Sequence, residues 1–318
     1  MSRSSSSVQV GGHIDAVTAF SDGRVLKRCA APEAQFYAGV WAEPPRHPAA
    51  IALRTCLPRC FGVVDADGEW HPCAARTPMP VTALAPPYVI LEDLTSCVSR
   101  ADICDVKLGS VLYDETDPTV PRAKRERMQR KAAETTSGSL GLRITGWRVW
   151  DAATRTHAYV GKGPGRAARA RADVAALWAA FLGTSGASRH AALRRRLVAE
   201  YLVPTLASLR ERLARVPAKF RGASLLVVLE ADDDALAARL ADRTAPAVLR
   251  VIDLAHSRWD SAPDEGIQRA LMELQKIWEE GGGVSGSGEA WGERNGGKEE
   301  DGDRWEGAWG RGQGGERR

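Results

Sequence analysis

Apolar and polar positions alternate differently in successive parts of the chain. Up to about residue 95, short apolar runs are separated by turn residues: SVQVGGH, GRVLKRC after the turn SDG, CFGVVDADGEW and PYVILEDLT. Short runs of this kind bounded by Gly, Asp and Pro predict strands, here a small antiparallel sheet. Beyond it, strand signals in ICDVKLGSVLYD and GLRITGWRVWD mix with helical periodicity in ADVAALWAAFLG and HAALRRRLVAEYLVPTLASLRERLARV. Pro204 has no amide hydrogen to donate, so it should kink or split the longer helix. Two apolar strands follow, ASLLVVLEA and AVLRVIDLA, joined by an acidic, alanine-rich connection, and the amphipathic helix EGIQRALMELQKIWEE closes the pattern. A β-rich first part and an α+β second part predict two lobes with a cleft between them.

The ends of the chain read differently. Residues 1–7 are polar and serine-rich, and from Gly281 onward glycine and mixed charge dominate. Such segments bury too little apolar surface to offset the entropy of ordering, so disorder is expected over 1–7 and 281–318. Trp291, Trp305 and Trp309 stand in the second of these, either as docking motifs or as residues of an unselected extension. With 318 residues, 44% hydrophobic and 26% charged, the remainder has room for one large or two coupled globular lobes. No stretch approaches the ~18 apolar residues of a membrane span, and MSRSSSSVQV lacks the apolar core of a signal peptide. The expectation is a soluble, intracellular chain.

Net charge is +4, too mild to mark a nucleic-acid binder by itself. No RNP-type aromatic motif accompanies the cations, so direct nucleic-acid binding is not expected. The six cysteines (29, 56, 60, 73, 97, 104) form no CxxC pair and lack the histidines of a zinc site. They read as reduced core thiols, with a disulfide framework as the alternative.

Candidate chemistry lies in three places. In ADICDVKLG a strand would project Asp105 and Lys107 from one face and Cys104, Val106 and Leu108 from the other. A preorganised polar pair and a surface salt bridge both fit that spacing. Gly109, next in the chain, allows close approach of backbone or phosphate. In VLRVIDLAHS, Asp253 ends an apolar strand and His256 lies three residues on. A carboxylate there, near Glu230 and the run Asp232, Asp233, Asp234, could hold magnesium, while an ordinary turn explains it equally. RAKRERMQRK (122–131) carries six basic residues and one acidic residue. At helical spacing Lys124, Arg127 and Lys131 share a face, forming either a solvated surface or a comb for anionic groups. GKGPGR (161–166) lacks the spacing of a phosphate loop and reads as a turn. HRDxxxxN and DFG are both missing, which disfavours a protein kinase.

Taken together, these segments resemble the inositol polyphosphate kinase family, in particular the fungal multikinases. The family signature PxxxDxKxG is matched at 101–109 except for Ala101 in place of proline. QVGGH (9–13), RVLKRC (24–29), EAQFY (33–37), VILEDLT (89–95), KRERM (124–128), ETTSGSLGLRITGWRVW (134–150), SLLVVLE (224–230), VIDLAHS (251–257) and PDEG (263–266) follow in the family's order. Leu254 replaces the family's phenylalanine, and PGR at 164–166 departs from YGR, so no role passes to Arg166.

The resemblance implies an α+β, two-lobed kinase-like fold, with an N-lobe and hinge over 8–95, a C-lobe over 96–280 and ATP between them. It implies that Lys27 contacts ATP phosphates, oriented by Glu33, and that Glu92, Asp93 and Leu94 form the hinge against adenine. Asp105 is similar to the residue on the ribose side of the nucleotide, and Lys107 to the lysine between the transferred phosphate and the acceptor hydroxyl. Asp253 resembles the Mg2+ ligand and His256 a residue lining the inositol site. Lys124, Arg127 and Lys131 fall on the helix that grips substrate phosphates. The implied activity is phosphorylation of inositol 1,4,5-trisphosphate to tetrakis- and pentakisphosphates, in nucleus and cytoplasm. A transcription or chromatin scaffold working through its basic and acidic segments, with transcription-regulator proteins as partners, is the alternative from another class.

Overall fold

A computed structural model describes residues 17–20, 23–65, 68–73 and 87–281. All of them belong to one unit, Met1–Gly286; a second, Ser287–Arg318, lies outside the described residues. The expectations for QVGGH, for residues 1–7 and for the tail from 282 onward, with its tryptophans, also lie outside them. Among the described residues no helix is long and apolar enough to cross a membrane.

The first part of the chain forms β1 (Val17–Ala19), β2 (Arg24–Arg28), α1 (Ala31–Trp41), α2 (Ala50–Arg54), β3 (Cys60–Val64), β4 (Trp70–Pro72) and β5 (Tyr88–Glu92). Its strands make one antiparallel sheet in the order β1-β2-β5-β3-β4. The alternating runs read from the sequence are strands β2, β3 and β5, and α1 packs on this sheet with Ala34, Phe36, Tyr37 and Val40 buried.

The second part begins with β6 (Ala101–Leu108), α3 (Arg122–Ala133), α4 (Thr136–Ser139), β7 (Leu142–Asp151), β8 (Thr156–Val160), α5 (Gly163–Ala167) and α6 (Arg171–Leu182). It continues with α7 (Arg189–Leu197), a π-helical turn (Val198–Leu202), α8 (Val203–Leu213), β9 (Ala218–Arg221), β10 (Ser224–Glu230), α9 (Asp233–Ala241), β11 (Ala247–Ile252), β12 (His256–Trp259) and α10 (Glu265–Gly281). Five strands pair antiparallel in the order β11-β10-β6-β7-β8, and β9 with β12 forms a separate ribbon. The long helical segment divides where Pro204 withdraws its donor: the ladder widens into the π turn just ahead of it and α8 starts afresh. Along α10, Ile267, Ala270, Leu271, Leu274, Ile277 and Trp278 are buried, the apolar stripe that the sequence pattern requires.

β6 runs through the middle of its sheet, so both of its edges are paired, and residues on both of its faces are buried. Cys104, Val106 and Leu108 enter the main core, and Asp105 and Lys107 share the other face, as strand alternation predicts. At Asp105 the β6–β7 register shifts opposite Gly146, leaving Thr145 as an extra residue whose hydroxyl donates to the Asp105 carbonyl.

Two expectations need correction. GKGPGR forms the short helix α5 instead of a simple turn, pressed so closely on β7 that a Cβ on Gly165 would lie 1.8 Å from the Ile144 carbonyl oxygen. All six cysteines are free, but only five are buried; Cys97 is exposed on the turn after β5.

Candidate active site

Strand register brings the first two functional side chains together. Ser224 of β10 faces Lys107 on one side and Ile252 on the other, so Lys107 and the residue after Ile252, Asp253, arrive at the same end of the sheet. Asp253 takes a left-handed backbone conformation with φ 62°, which aspartate tolerates better than most residues, and this turns its carboxylate back over the strand ends. The Lys107 ammonium donates to the Gly222 carbonyl at 2.8 Å and to Asp253 Oδ2 at 3.5 Å.

The other sheet supplies the third group. Lys27 of β2 donates to Asp253 Oδ1 at 2.8 Å and to Glu33 Oε1 at 2.6 Å. Glu33 stands in the first turn of α1, buried, and also accepts the Leu254 amide at 3.1 Å. A carboxylate there fits twice, since it complements the helix N-terminus and holds Lys27 against Asp253. Residues 27, 33, 107 and 253, remote in sequence, thus form one ionic cluster.

Electrostatics in the cluster follow from burial and pairing. Desolvation would lower the Lys27 pKa, yet Asp253 and Glu33 outweigh it and hold the ammonium well above its usual value. Burial pulls the Asp253 carboxyl upward, but Lys27 and Lys107 overcome it and keep it ionised below the ordinary carboxylate range. Asp105, 5% exposed, is raised mainly by burial, opposed by Lys107 and reinforced by the Asp253 charge.

The basic segment is a helix, as its spacing predicts. Lys124 and Lys131 lie on the half-buried face of α3 with Met128, whereas Arg127 is exposed. His256, the first residue of β12, links α3 to the cluster: burial lowers its pKa, with further lowering from Lys124 and Lys107 against Asp114 and Asp117. Its imidazole is therefore neutral at neutral pH.

Glu92, Asp93 and Leu94 form the exit from β5. Asp93 donates its amide to the Gly23 carbonyl at 2.8 Å and accepts the Ser96 amide at 3.1 Å, so its backbone is engaged in the turn. Leu94 is buried with Ala101, Ile103 and Val228.

Glu230 and Asp232–Asp234 do not join Asp253, contrary to expectation. They lie at the far end of β10, and six residues at about 3.3 Å each put Glu230 roughly 20 Å from Ser224. There Glu230 accepts the amides of Ser99 and Arg100, Asp232 caps α9, Asp233 meets His190 and Asp234 meets Arg189.

Sequence reasoning passed over Arg143. It faces Lys107 across the β6–β7 register, is 5% exposed, and places Nη1 3.4 Å from Thr135 Oγ1. Burial and Arg166 together lower its pKa. An arginine inside the apolar run LGLRITGW was the available signal.

Two ammoniums on one accessible carboxylate, with a guanidinium in register with Lys107, can neutralise developing oxyanions and hold a divalent cation. Among the described residues no group of three or more His, Cys, Asp or Glu could bind a metal alone. Magnesium does not need one, because it binds through one or two carboxylates plus water and phosphate oxygens. Asp253 Oδ2, only loosely approached by Lys107 on a side chain 37% exposed, suits that requirement.

The sequence model described as inositol polyphosphate kinase matches residues 88–279. Over 62 residues the chain is 47% identical to an inositol polyphosphate multikinase of Saccharomyces cerevisiae, covering 20% of this chain and 17% of that protein. Over 154 residues it is 30% identical to an inositol polyphosphate multikinase of Schizosaccharomyces pombe, covering 47% and 52%. The matches thus span at most about half the length of these two relatives. A crystal structure of a Saccharomyces cerevisiae inositol phosphate multikinase in complex with ADP and Mn2+ is similar in fold, with TM-score 0.64 at 22% identity over 81% of this chain and 99% of that one.

Proposed function

Because the chain belongs to the inositol polyphosphate kinase family, we propose that it transfers the γ-phosphoryl group of ATP to soluble inositol polyphosphates. The first acceptor in this reading is inositol 1,4,5-trisphosphate, and the products are tetrakis- and pentakisphosphates. The observation that carries it is the convergence of Lys27, Lys107 and Asp253 on one point reached by both sheets.

Phosphoryl transfer asks little covalent chemistry of a protein; catalysis is positioning and charge neutralisation. Lys27, steadied by Glu33, meets the nucleotide phosphates, with the exit of β5 near adenine and Asp105 toward the ribose. Lys107 lies between the transferred group and the acceptor hydroxyl. Asp253 would hold a magnesium ion, whose positive charge would offset that of the phosphates. His256, Lys124, Arg127 and Lys131 hold the phosphates already on the ring, and Arg143 adds a cation beside Lys107.

Timed incubation of the full chain with ATP, magnesium and inositol 1,4,5-trisphosphate, followed by chromatography, tests the reading. Tetrakis- and pentakisphosphates are expected, and Lys107→Ala or Asp253→Ala should abolish them. Absence of any more highly phosphorylated product refutes the activity, and turnover surviving both substitutions refutes the site assignment.

A further inference from the structure

The basic helix α3 has almost no core of its own. Of its twelve residues only Ala132 is buried, so apolar packing does little to fix its orientation. Its polar attachments include several to the loop that precedes it, 109–121. Arg125 donates to the carbonyls of Val120 and Asp117, each at 3.0 Å, and Gln129 donates to the Tyr113 hydroxyl at 3.0 Å. Whatever holds that loop therefore also helps to hold the helix.

The loop is held by two arginines on the β9–β12 ribbon. Arg221 Nε donates to both oxygens of Glu115, at 3.0 and 2.8 Å, and Nη2 adds a further bond to Oε1. Arg258 approaches Asp114 at 3.5 Å. Arg221 is itself fixed from behind, donating Nη1 to Asp264 Oδ2 at 2.8 Å. Asp264, 3% exposed, also accepts the amides of Phe220, Gly266 and Ile267, which locks it at the start of α10. In the ribbon Arg221 pairs with His256, and the next residue, Gly222, offers its carbonyl to Lys107.

We propose that Arg221 is a positioning residue: clamped by Asp264, it grips Glu115 and so sets the basic face of α3 against the Lys107–Asp253 cluster. A planar guanidinium suits this role because it can serve two carboxylates at once in fixed directions, which an ammonium cannot. The strap is confined to the acceptor side. Lys27, Glu33 and the exit of β5 have no part in it, so its loss should weaken acceptor binding and spare the nucleotide.

The kinetic half of the test rests on the kinase activity proposed above; the other half does not. Glu115→Ala leaves the Arg221–Asp264 contact in place, and Arg221→Gln keeps a hydrogen-bonding side chain beside Asp264, so both full-length variants retain the α10 cap. Each should raise KM for the inositol polyphosphate about tenfold, the loss of charged hydrogen bonds, with KM for ATP and kcat within about twofold. The double variant should be no worse than Arg221→Gln alone. Hydrogen exchange of the ligand-free chain should show α3 amides exchanging about tenfold faster in both variants, with β6 unchanged. Unaltered acceptor KM in an active enzyme, additive effects, equal rises in both KM values or unaltered exchange of α3 would each overturn the proposal. A wild-type chain that turns over no inositol polyphosphate refutes the kinase reading instead, and the exchange experiment then decides the strap alone.

Discussion

Glu33→Gln isolates the group that ties the two sheets together at the site. Glu33 accepts the Lys27 ammonium at 2.6 Å and the Leu254 amide at 3.1 Å, with its side chain 4% exposed. Glutamine keeps the shape and one carbonyl acceptor but loses the charge, and its NH2 group can no longer accept. Removing one partner of a buried ion pair costs roughly 3–5 kcal/mol. Lys27 retains Asp253 at 2.8 Å, which places the expectation at the lower end, about 3 kcal/mol. With a urea slope of about 2 kcal/mol/M the unfolding midpoint should fall by roughly 1.5 M. The double variant Lys27→Met/Glu33→Gln should be less destabilised than the sum of its parts by at least about 1 kcal/mol, since the two groups share one interaction. KM for ATP should rise in Glu33→Gln more than KM for the acceptor. A midpoint shift within the range of ordinary surface substitutions, about 0.5 kcal/mol, or full additivity in the cycle, would refute the idea that Glu33 orients Lys27.

Other consequences follow from pairing and burial. The Asp253 carboxyl is held below its unfolded value of about 3.9, so the stability it lends is complete above that pH and is lost as pH falls further through its folded value. Asp253→Asn should therefore flatten the acid limb of the stability profile below about pH 4, and an unchanged limb would contradict the pairing. Arg194 and Asp102 form a buried pair at 2.7 Å with side chains 2% and 5% exposed, far from the cluster; Arg194→Met should cost about 3–5 kcal/mol in denaturant while KM values at permissive temperature stay unchanged. In the native chain a maleimide should label Cys97 first, whereas Cys29, buried and pushed up to about 12, should react only after denaturation; early loss of Cys29 by peptide mapping would count against the burial described here.

Much of the frame is readable from local pattern because local pattern creates it. The apolar run around RVLKR reports a strand, alternation in ADICDVKL sorts its polar and apolar side chains between two covered faces, and the period of α10 reports its stripe. Pro204 marks its own helix break. The resemblance to a known family pointed to Lys27, Lys107, Asp253 and the basic helix, and the structure brings the first three together. Pairings set by long-range register were not readable. Glu230 looked like a neighbour of Asp253 because both end apolar strands, but antiparallel pairing of β10 with β11 puts those ends at opposite edges of the sheet. Arg221 and Glu115, 106 residues apart, carry no mutual sequence signal. Arg143 stood out as a charge inside an apolar run, but the run does not say that it faces Lys107, and Cys97 looked like any other cysteine.

The apolar residues of β10 do as much for the site as its charged groups. Leu225, Val227 and Leu229 are fully buried on one face and Val228 on the other, so moving the strand by one residue would exchange the two sets and force both faces to repack. Repacking of that kind is costly, and it favours the observed register of β10 against both β6 and β11. That register is what sets Ser224 between Lys107 and Ile252, and hence Asp253 within reach of Lys107. Two like charges, Lys27 and Lys107, then share one carboxylate, an arrangement that favours any anion or metal–phosphate complex able to relieve their repulsion. A large-to-small change at Leu225 or Val227 should consequently damage the polar geometry at the strand end as well as the core, because β10 is the strand that sets Lys107 and Asp253 side by side.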